Sequence, residues 1–326
     1  MLAKHLDKQI HDDSVELAHT RDGYGQGLLE AALDDKRIVA LCADLTESTR
    51  THYFAEEFPE RFVEVGIAEQ NMASVASGMA AMGKIPFIAS YAMFSPGRSW
   101  EQVRTTIAYN ESNVKIVGAH AGVSVGPDGA THQAIEDIAL MRVIPKMTVM
   151  APADIHEAKK MVKWAAEYVG PVYIRIGREK TPVVTSEESP FTPGKALEIF
   201  TPEGAQIAML STGTLLHNAL MAAKELTEAG ISVAVYHFGT IKPLDTQTLD
   251  SLAEQFQKFV TIEEHQIAGG FGSAVAEYLS AHRPRKVLRI GIDDQFGQSG
   301  NPEELLEHYG MDVASIIEKV TQSYGN

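Results

Sequence analysis

The sequence predicts an α/β protein made of two doubly wound domains, and three observations carry that reading. Its 326 residues exceed what one hydrophobic core fills, since cores split beyond roughly 250 residues. From about residue 20 to 178, short apolar runs alternate with longer amphipathic stretches, the pattern of parallel strands buried on both faces and crossed over by helices. The segment EKTPVVTSEESPFTPGKA then breaks all periodicity with Pro, Ser, Thr and Glu, and a second, shorter alternation follows it.

In order, the first alternation reads RIVALCA as a strand, AEQNMASVASGMAAMG as a helix, KIPFIASYA as a strand and a helix over 98–111. The strands VKIVGAH and MTVMAP, a helix over 154–168 and the strand PVYIRIG complete it. The sheet is expected to be mostly parallel. A boundary near 185–197 divides the chain into domains 1–190 and 191–326. The smaller second domain reads AQIAMLS, a helix over 214–229, ISVAVYHF, a helix over 246–257, FVTIEEH, GGFGSAVAEYLSAH, KVLRIGI and two terminal helices. No residue-level repeat or low-complexity tract is present.

Composition narrows the function. Lys and Arg total 28 against 43 Asp and Glu, a formal charge of -15, which repels a phosphate backbone and offers no basic patch to a membrane. Nucleic acid and membrane surfaces are therefore not expected partners, and an anionic substrate needs a few local cations. The single cysteine, Cys42, lies in an apolar run, reads as a buried structural thiol and fits a reducing compartment. The start MLAKHLDKQIHDD has no apolar core of signal-peptide length, and no run reaches about 18 apolar residues. A cytoplasmic location is expected.

Three segments could carry chemistry. In RFVEVGIAEQNMASVASGMAAMG a short strand turns through Gly into a helix of small residues, with Glu69 at its start. An acid there is favoured by the helix dipole, so capping and catalysis both stay open. The small face of Ala73, Ala76, Ser77, Gly78, Ala80 and Ala81 implies close packing on another body, which places Glu69 near an interface. In SYAMFSPGRSW, Tyr91 and Phe94 follow a strand and could close a core or wall a slot for a flat heteroaromatic ring. In GAHAGVSVGPDGATHQAIEDIA, His120 ends a strand, with Asp128 and His132 on the same loop, where α/β folds bind ligands. His265 in TIEEHQ holds the same strand-end position in the second domain and reads as structural.

Other motifs are missing. No GxxxxGK[ST], CxxC or HExxH occurs; GYGQGLLE lacks the preceding strand of a dinucleotide fingerprint, and GGFGSAVAE has no acidic ribose reader after it. The Gly-rich turn of GGFGSAVAE is expected to serve packing.

At these residues the sequence resembles the transketolase family, specifically its pyrimidine-binding domain followed by its C-terminal domain, over roughly residues 15–324. The resemblance implies that Glu69, in GIAEQN, contacts N1′ of the aminopyrimidine of thiamine diphosphate. There it favours the imino form, whose nitrogen can take the proton from C2 of the thiazolium ring. It implies that Phe94 stacks on the aminopyrimidine, Tyr91 lines its pocket and Asp44 lies near the thiazolium. Arg21 in HTRDG, Ser48 in ADLTES, His120 in GAHAG and Arg178 in IGRE match the family's phosphate-binding positions, a sensible cradle for a dianion. Asp128 matches a reader of a substrate hydroxyl, and His132 a group at the substrate's reacting end.

One departure bears on mechanism. The family's diphosphate-binding domain, with its GDG motif and downstream Asn that hold Mg²⁺ and the diphosphate, has no counterpart in these residues. The resemblance therefore implies a separate N-terminal subunit that supplies it, and a homodimer within an α2β2 assembly. The implied reaction moves a two-carbon ketol unit from a ketose phosphate to an aldose phosphate. Two alternatives stay open: another thiamine-diphosphate enzyme such as a deoxyxylulose-phosphate synthase, and a non-catalytic scaffold subunit.

Overall fold

A computed structural model describes residues 1–7, 10 and 15–325; residues 8, 9 and 11–14 of the start that carries no signal-peptide-like run, and residue 326, lie outside the described residues. The first unit runs β1 (Leu17–His19), α1 (Thr20–Asp34), β2 (Ile38–Cys42), α2 (Thr46–Thr49), α3 (His52–Glu57), β3 (Phe62–Glu64), α4 (Glu69–Ala81) and β4 (Ile85–Tyr91). It continues with α5 (Trp100–Gln102), β5 (Lys115–Ala119), α6 (Asp137–Arg142), β6 (Thr148–Met150), α7 (Ile155–Glu167), β7 (Val172–Arg175) and β8 (Lys180–Pro182). The second comprises β9 (Leu197–Phe200), β10 (Ile207–Ser211), α8 (Leu216–Glu228), β11 (Val233–His237), β12 (Thr240–Lys242), α9 (Thr246–Gln255), β13 (Lys258–Gln266), α10 (Phe271–His282), β14 (Lys286–Ile292), α11 (Pro302–His308) and α12 (Val313–Tyr324).

The main sheet has the order β12-β6-β7-β5-β4-β2-β3 and is parallel apart from β12. Its strands are buried on both faces, as the apolar runs require. Ile38 and Ala40 face a core shared with Tyr24 and Leu28 of α1 and Met161 and Val162 of α7. Val39 and Leu41 face the opposite core with Met72 and Ala76 of α4 and Val103 and Ile107. The second sheet, β14-β13-β10-β11-β9, is parallel except for its edge strand β9.

Two expectations change. The helix over 98–111 is α5 followed by a π-helical turn over Val103–Ala108. The second is a strand not expected from the sequence: β12, from beyond the Pro-rich segment, adds an antiparallel strand to the first sheet. The α4 core also continues into the second unit through Leu210, Phe238, Phe259 and Phe271. Each such buried side chain contributes about 1.5–3 kcal/mol of apolar burial, so this join is part of the fold rather than a loose contact.

GYGQGLLE lies in α1, and its glycines serve packing. A Cβ on Gly23 would stand 2.2 Å from the carbonyl oxygen of Ile155, so α1 crosses α7 at a distance only Gly allows. No helix among the described residues is long and apolar enough to cross a membrane.

Candidate active site

The residues singled out in the first unit gather at one edge of the main sheet. β3, β2, β4, β5 and β7 are consecutive parallel neighbours, and past their carboxyl ends come Glu69, then Asp44 and Ser48, then Tyr91 and Phe94, then His120, then Arg178. That is where an open α/β sheet binds ligands. Arg21 joins them from the first turn of α1.

Glu69 is the first residue of α4 and only 1% exposed. Its Oε2 accepts a 2.7 Å hydrogen bond from Arg98 Nη1, while the Arg98 side chain is 47% exposed. Burying a carboxylate is costly without a hydrogen-bonding cation, and the start of a helix is a favourable place for one. The Arg98 guanidinium also lies 4.9 Å from the centre of the Phe94 ring, so acid and aromatic stand within one side chain of each other.

The aromatic groups form one cluster. Tyr91 stacks on His120 with ring centres 3.9 Å apart, Phe94 lies parallel to Tyr91 at 6.1 Å, and His132 sets its edge to Phe94 at 5.5 Å. One face of Tyr91 is thus already covered by an imidazole.

Around His120 stand the cations. Burial and then the positive charges of Arg21, Arg178 and Arg50 push His120 down to about 3. Its Nδ1 is buried with no hydrogen-bond partner, and so is Nε of Arg21. Unpaired buried polar atoms are costly; two of them beside three guanidiniums mark a place where an anion would be held. Arg21 Nη1 donates to the carbonyl of Ser48 at 3.0 Å, and Arg178 Nη1 to that of Val125 at 2.6 Å. Asp44 and Asp128 are exposed on their loops; Glu64 accepts from the Asp44 and Gly66 amides, both at 2.8 Å, tying the β2 and β3 ends together.

Sequence reasoning missed Arg98 and Arg50. Arg98 had a signal in SYAMFSPGRSW, four residues after Phe94. Arg50 reaches the cradle from α2's left-handed end, paired with Asp22 at 2.6 Å, which no spacing announces. The small face of α4 is corrected in part. Ala73, Ala76 and Ser77 are buried within the unit, with Ser77 Oγ donating to Thr106 O at 2.6 Å. Gly78 and Ala81 of that face do stay open, together with Asn71 and Ser74, flanked by Ile67 at 73% and Met82 at 84% exposure.

In the second unit the Gly-rich turn begins α10, and its Phe271 and Gly272 amides donate to Glu263 at 2.6 and 2.7 Å. A side-chain carboxylate fills the place a phosphate would take at a helix N-terminus. His265 is buried within hydrogen-bond distance of the Ala139 amide, joining the two units. Burial pushes Glu263 up from 4.5 to about 7. The folded chain then binds more protons here than the unfolded chain between those values. This contribution to stability is complete below pH 4.5 and lost as pH rises through 7. Glu263→Gln should therefore lose less unfolding free energy than the unsubstituted protein between about pH 5 and 7.5; parallel urea-unfolding profiles would contradict this.

The residues present suit the aminopyrimidine half of thiamine diphosphate, which offers a flat ring and a basic ring nitrogen. Phe94 gives a half-buried ring face and Glu69 a buried carboxylate beside it. Among the described residues no group of three or more His, Cys, Asp and Glu side chains is placed to hold a metal ion.

Fold and site together define an α/β protein with a buried acid, an aromatic cluster and a cationic cradle side by side at one sheet edge. The chain belongs to the transketolase family: the transketolase pyrimidine-binding domain matches residues 17–183 and the transketolase C-terminal domain residues 194–316. It is similar to a solved structure described as a split gene transketolase, inactive beta4 tetramer, at 44% identity and a TM-score of 0.87, covering 94% of this chain and 98% of that one. It is 40% identical over 297 residues to a 6-deoxy-6-sulfo-D-fructose transketolase subunit of Clostridium sp., covering 91% of this chain and 92% of the relative. With mouse transketolase it shares 37% identity over 303 residues, 92% of this chain but 48% of that protein. The family is one of transferases.

Proposed function

We propose that this chain is the subunit of a split, thiamine-diphosphate-dependent transketolase that holds the aminopyrimidine of the cofactor and the anionic end of the sugar. One observation carries the reading: Glu69, 1% exposed, stands beside Phe94 on the same sheet edge as the cationic cradle around His120. Thiamine diphosphate, when bound, supplies the carbon nucleophile for cleavage next to a carbonyl. Glu69 shares a proton with the ring nitrogen and His132 donates to oxygen as negative charge develops on the substrate. Arg21, Ser48, His120 and Arg178 hold the terminal anion, Asp128 accepts from a sugar hydroxyl, and Asp44 borders the thiazolium.

A second polypeptide supplies the diphosphate and Mg²⁺ site. Support comes from a relative described as a transketolase subunit and a solved structure described as a split gene transketolase, both of which this chain covers almost end to end, against the 48% it covers of the mouse enzyme. The open face of α4, with Ile67 and Met82, suits pairing with a second copy, giving an α2β2 enzyme in the cytoplasm.

The test is to mix the chain with a GDG-bearing partner subunit and supply xylulose 5-phosphate with ribose 5-phosphate, then pyruvate with glyceraldehyde 3-phosphate, then a 6-sulfo ketose. Consumption of the first or third set with release of a shortened aldose supports ketol transfer; consumption of the pyruvate set alone sinks it. Arg178→Ala should raise KM for the phosphorylated donor about ten- to hundred-fold and that for the unphosphorylated ketose less than about threefold. Equal effects on both would remove Arg178 from the cradle.

A further inference from the structure

We propose that Glu264, in the C-terminal domain, is a positioning residue for the first unit's substrate loop, fixing the backbone of residues 122–128 and thereby the stations of His120, Asp128 and His132. The inference rests on the reading of that loop given above and assigns the C-terminal domain a part in the site. Glu264 lies on β13 and is 4% exposed. Its Oε1 accepts from the Ser124 amide at 2.6 Å. Gly122 has φ +91°, and a Cβ there would stand 2.3 Å from the same oxygen, so loop and carboxylate meet with no room for a side chain between them.

The neighbouring contacts bind the rest of the loop to that point. The Gly122 amide donates to Ala134 O at 2.8 Å. Gln133 Nε2 gathers the carbonyls of Val123, Gly126 and Gln298 at 3.0, 3.2 and 2.9 Å. Behind the loop is a cleft between the units, bordered by His19, Ser124, Glu264, Asn301 and Pro302. Val123 and Val125 on either side of Ser124 are buried, while Ser124 itself borders the cleft, so the carboxylate-to-amide bond is a direct tie from the C-terminal domain to the middle of the loop. Burying a carboxylate at such a point is costly without compensation; the nearby charge of Arg175 and the hydrogen bonds from Ser124 offset part of that cost, and Arg175 also donates to the Glu264 backbone carbonyl at 2.7 Å.

The experiment compares Glu264→Ala, Glu264→Gln and Leu226→Ala, a core substitution in α8, in the complex reconstituted with its partner subunit. Ketol transfer is followed with xylulose 5-phosphate and ribose 5-phosphate, and amide hydrogen exchange over residues 120–133. Glu264→Ala should raise the donor KM about tenfold and speed loop exchange at least tenfold, with thiamine diphosphate affinity unchanged. Glu264→Gln keeps an acceptor oxygen and should stay within about threefold on both. Leu226→Ala should lower the Tm without either change. Unchanged loop exchange in Glu264→Ala, or the same changes in Leu226→Ala, would overturn the proposal. Should Glu264→Ala not fold, Glu264→Asp, which withdraws the carboxylate by one methylene, serves the same comparison. A complex without ketol transfer counts against the transketolase reading alone, because the exchange comparison still decides the role of Glu264.

Discussion

Replacing Glu69 by alanine is expected to lower ketol transfer by the reconstituted enzyme at least a hundred-fold, about 2.7 kcal/mol of transition-state stabilisation. The loss should fall on kcat, with KM for the sugars moving only a few-fold, because Glu69 sits at the aromatic end of the site while the sugar anion is held at the cationic end. The fold should tolerate the change. Its partner Arg98 is 47% exposed and can be solvated when the carboxylate goes, so no buried charge is stranded. A hundred-fold loss with a Tm near that of the unsubstituted protein is therefore the signature of a chemical role. Activity above about a tenth would remove Glu69 from it.

Replacing Arg175 by methionine should instead destabilise the chain by about 3–5 kcal/mol, the cost typical of stranding a buried charge. Arg175 is 7% exposed and Asp137 2%, with Nε 3.0 Å from Oδ2. Tyr173 donates to the same carboxylate at 2.7 Å. Methionine fills the volume but leaves Asp137 with a phenol alone. It also frees the carbonyl of Glu264, which Arg175 bonds at 2.7 Å across the join between the units. A fall in the urea midpoint with an unchanged m-value is the expected result; a loss below about 1 kcal/mol would show that the pair is solvated or compensated elsewhere.

Much of this was legible because it was written in periodicity. RIVALCA, KIPFIASYA and VKIVGAH are apolar on both faces, and β2, β4 and β5 lie side by side within the main sheet. The strand-end placement of His120, Tyr91 and Glu69 follows from the same pattern, since a residue after a parallel strand points to the binding edge whatever the long-range pairing is. What was not legible depends on that pairing. β12 is three residues long, and nothing in TIK says that it will join a sheet begun some two hundred residues earlier. The helix over 98–111 lost its regularity beside the site, in the π turn after Trp100, as helices near functional sites often do. The small residues of α4 suggested an external partner for Ala73 and Ala76, because sequence cannot distinguish close packing on one's own π turn from packing on another chain. Arg50 was missed for a related reason: a long guanidinium side chain finds its partner, here Asp22, by tertiary approach and not by spacing.

The most direct test of a pyrimidine half-site that needs a second polypeptide is calorimetric titration of thiamine diphosphate with Mg²⁺ into this chain, alone and then mixed with a GDG-bearing partner subunit. Tight binding in the mixture only, lost in Glu69→Ala, is the predicted result. Equally tight binding by the isolated chain would contradict it, and would place the diphosphate and metal on residues of this chain.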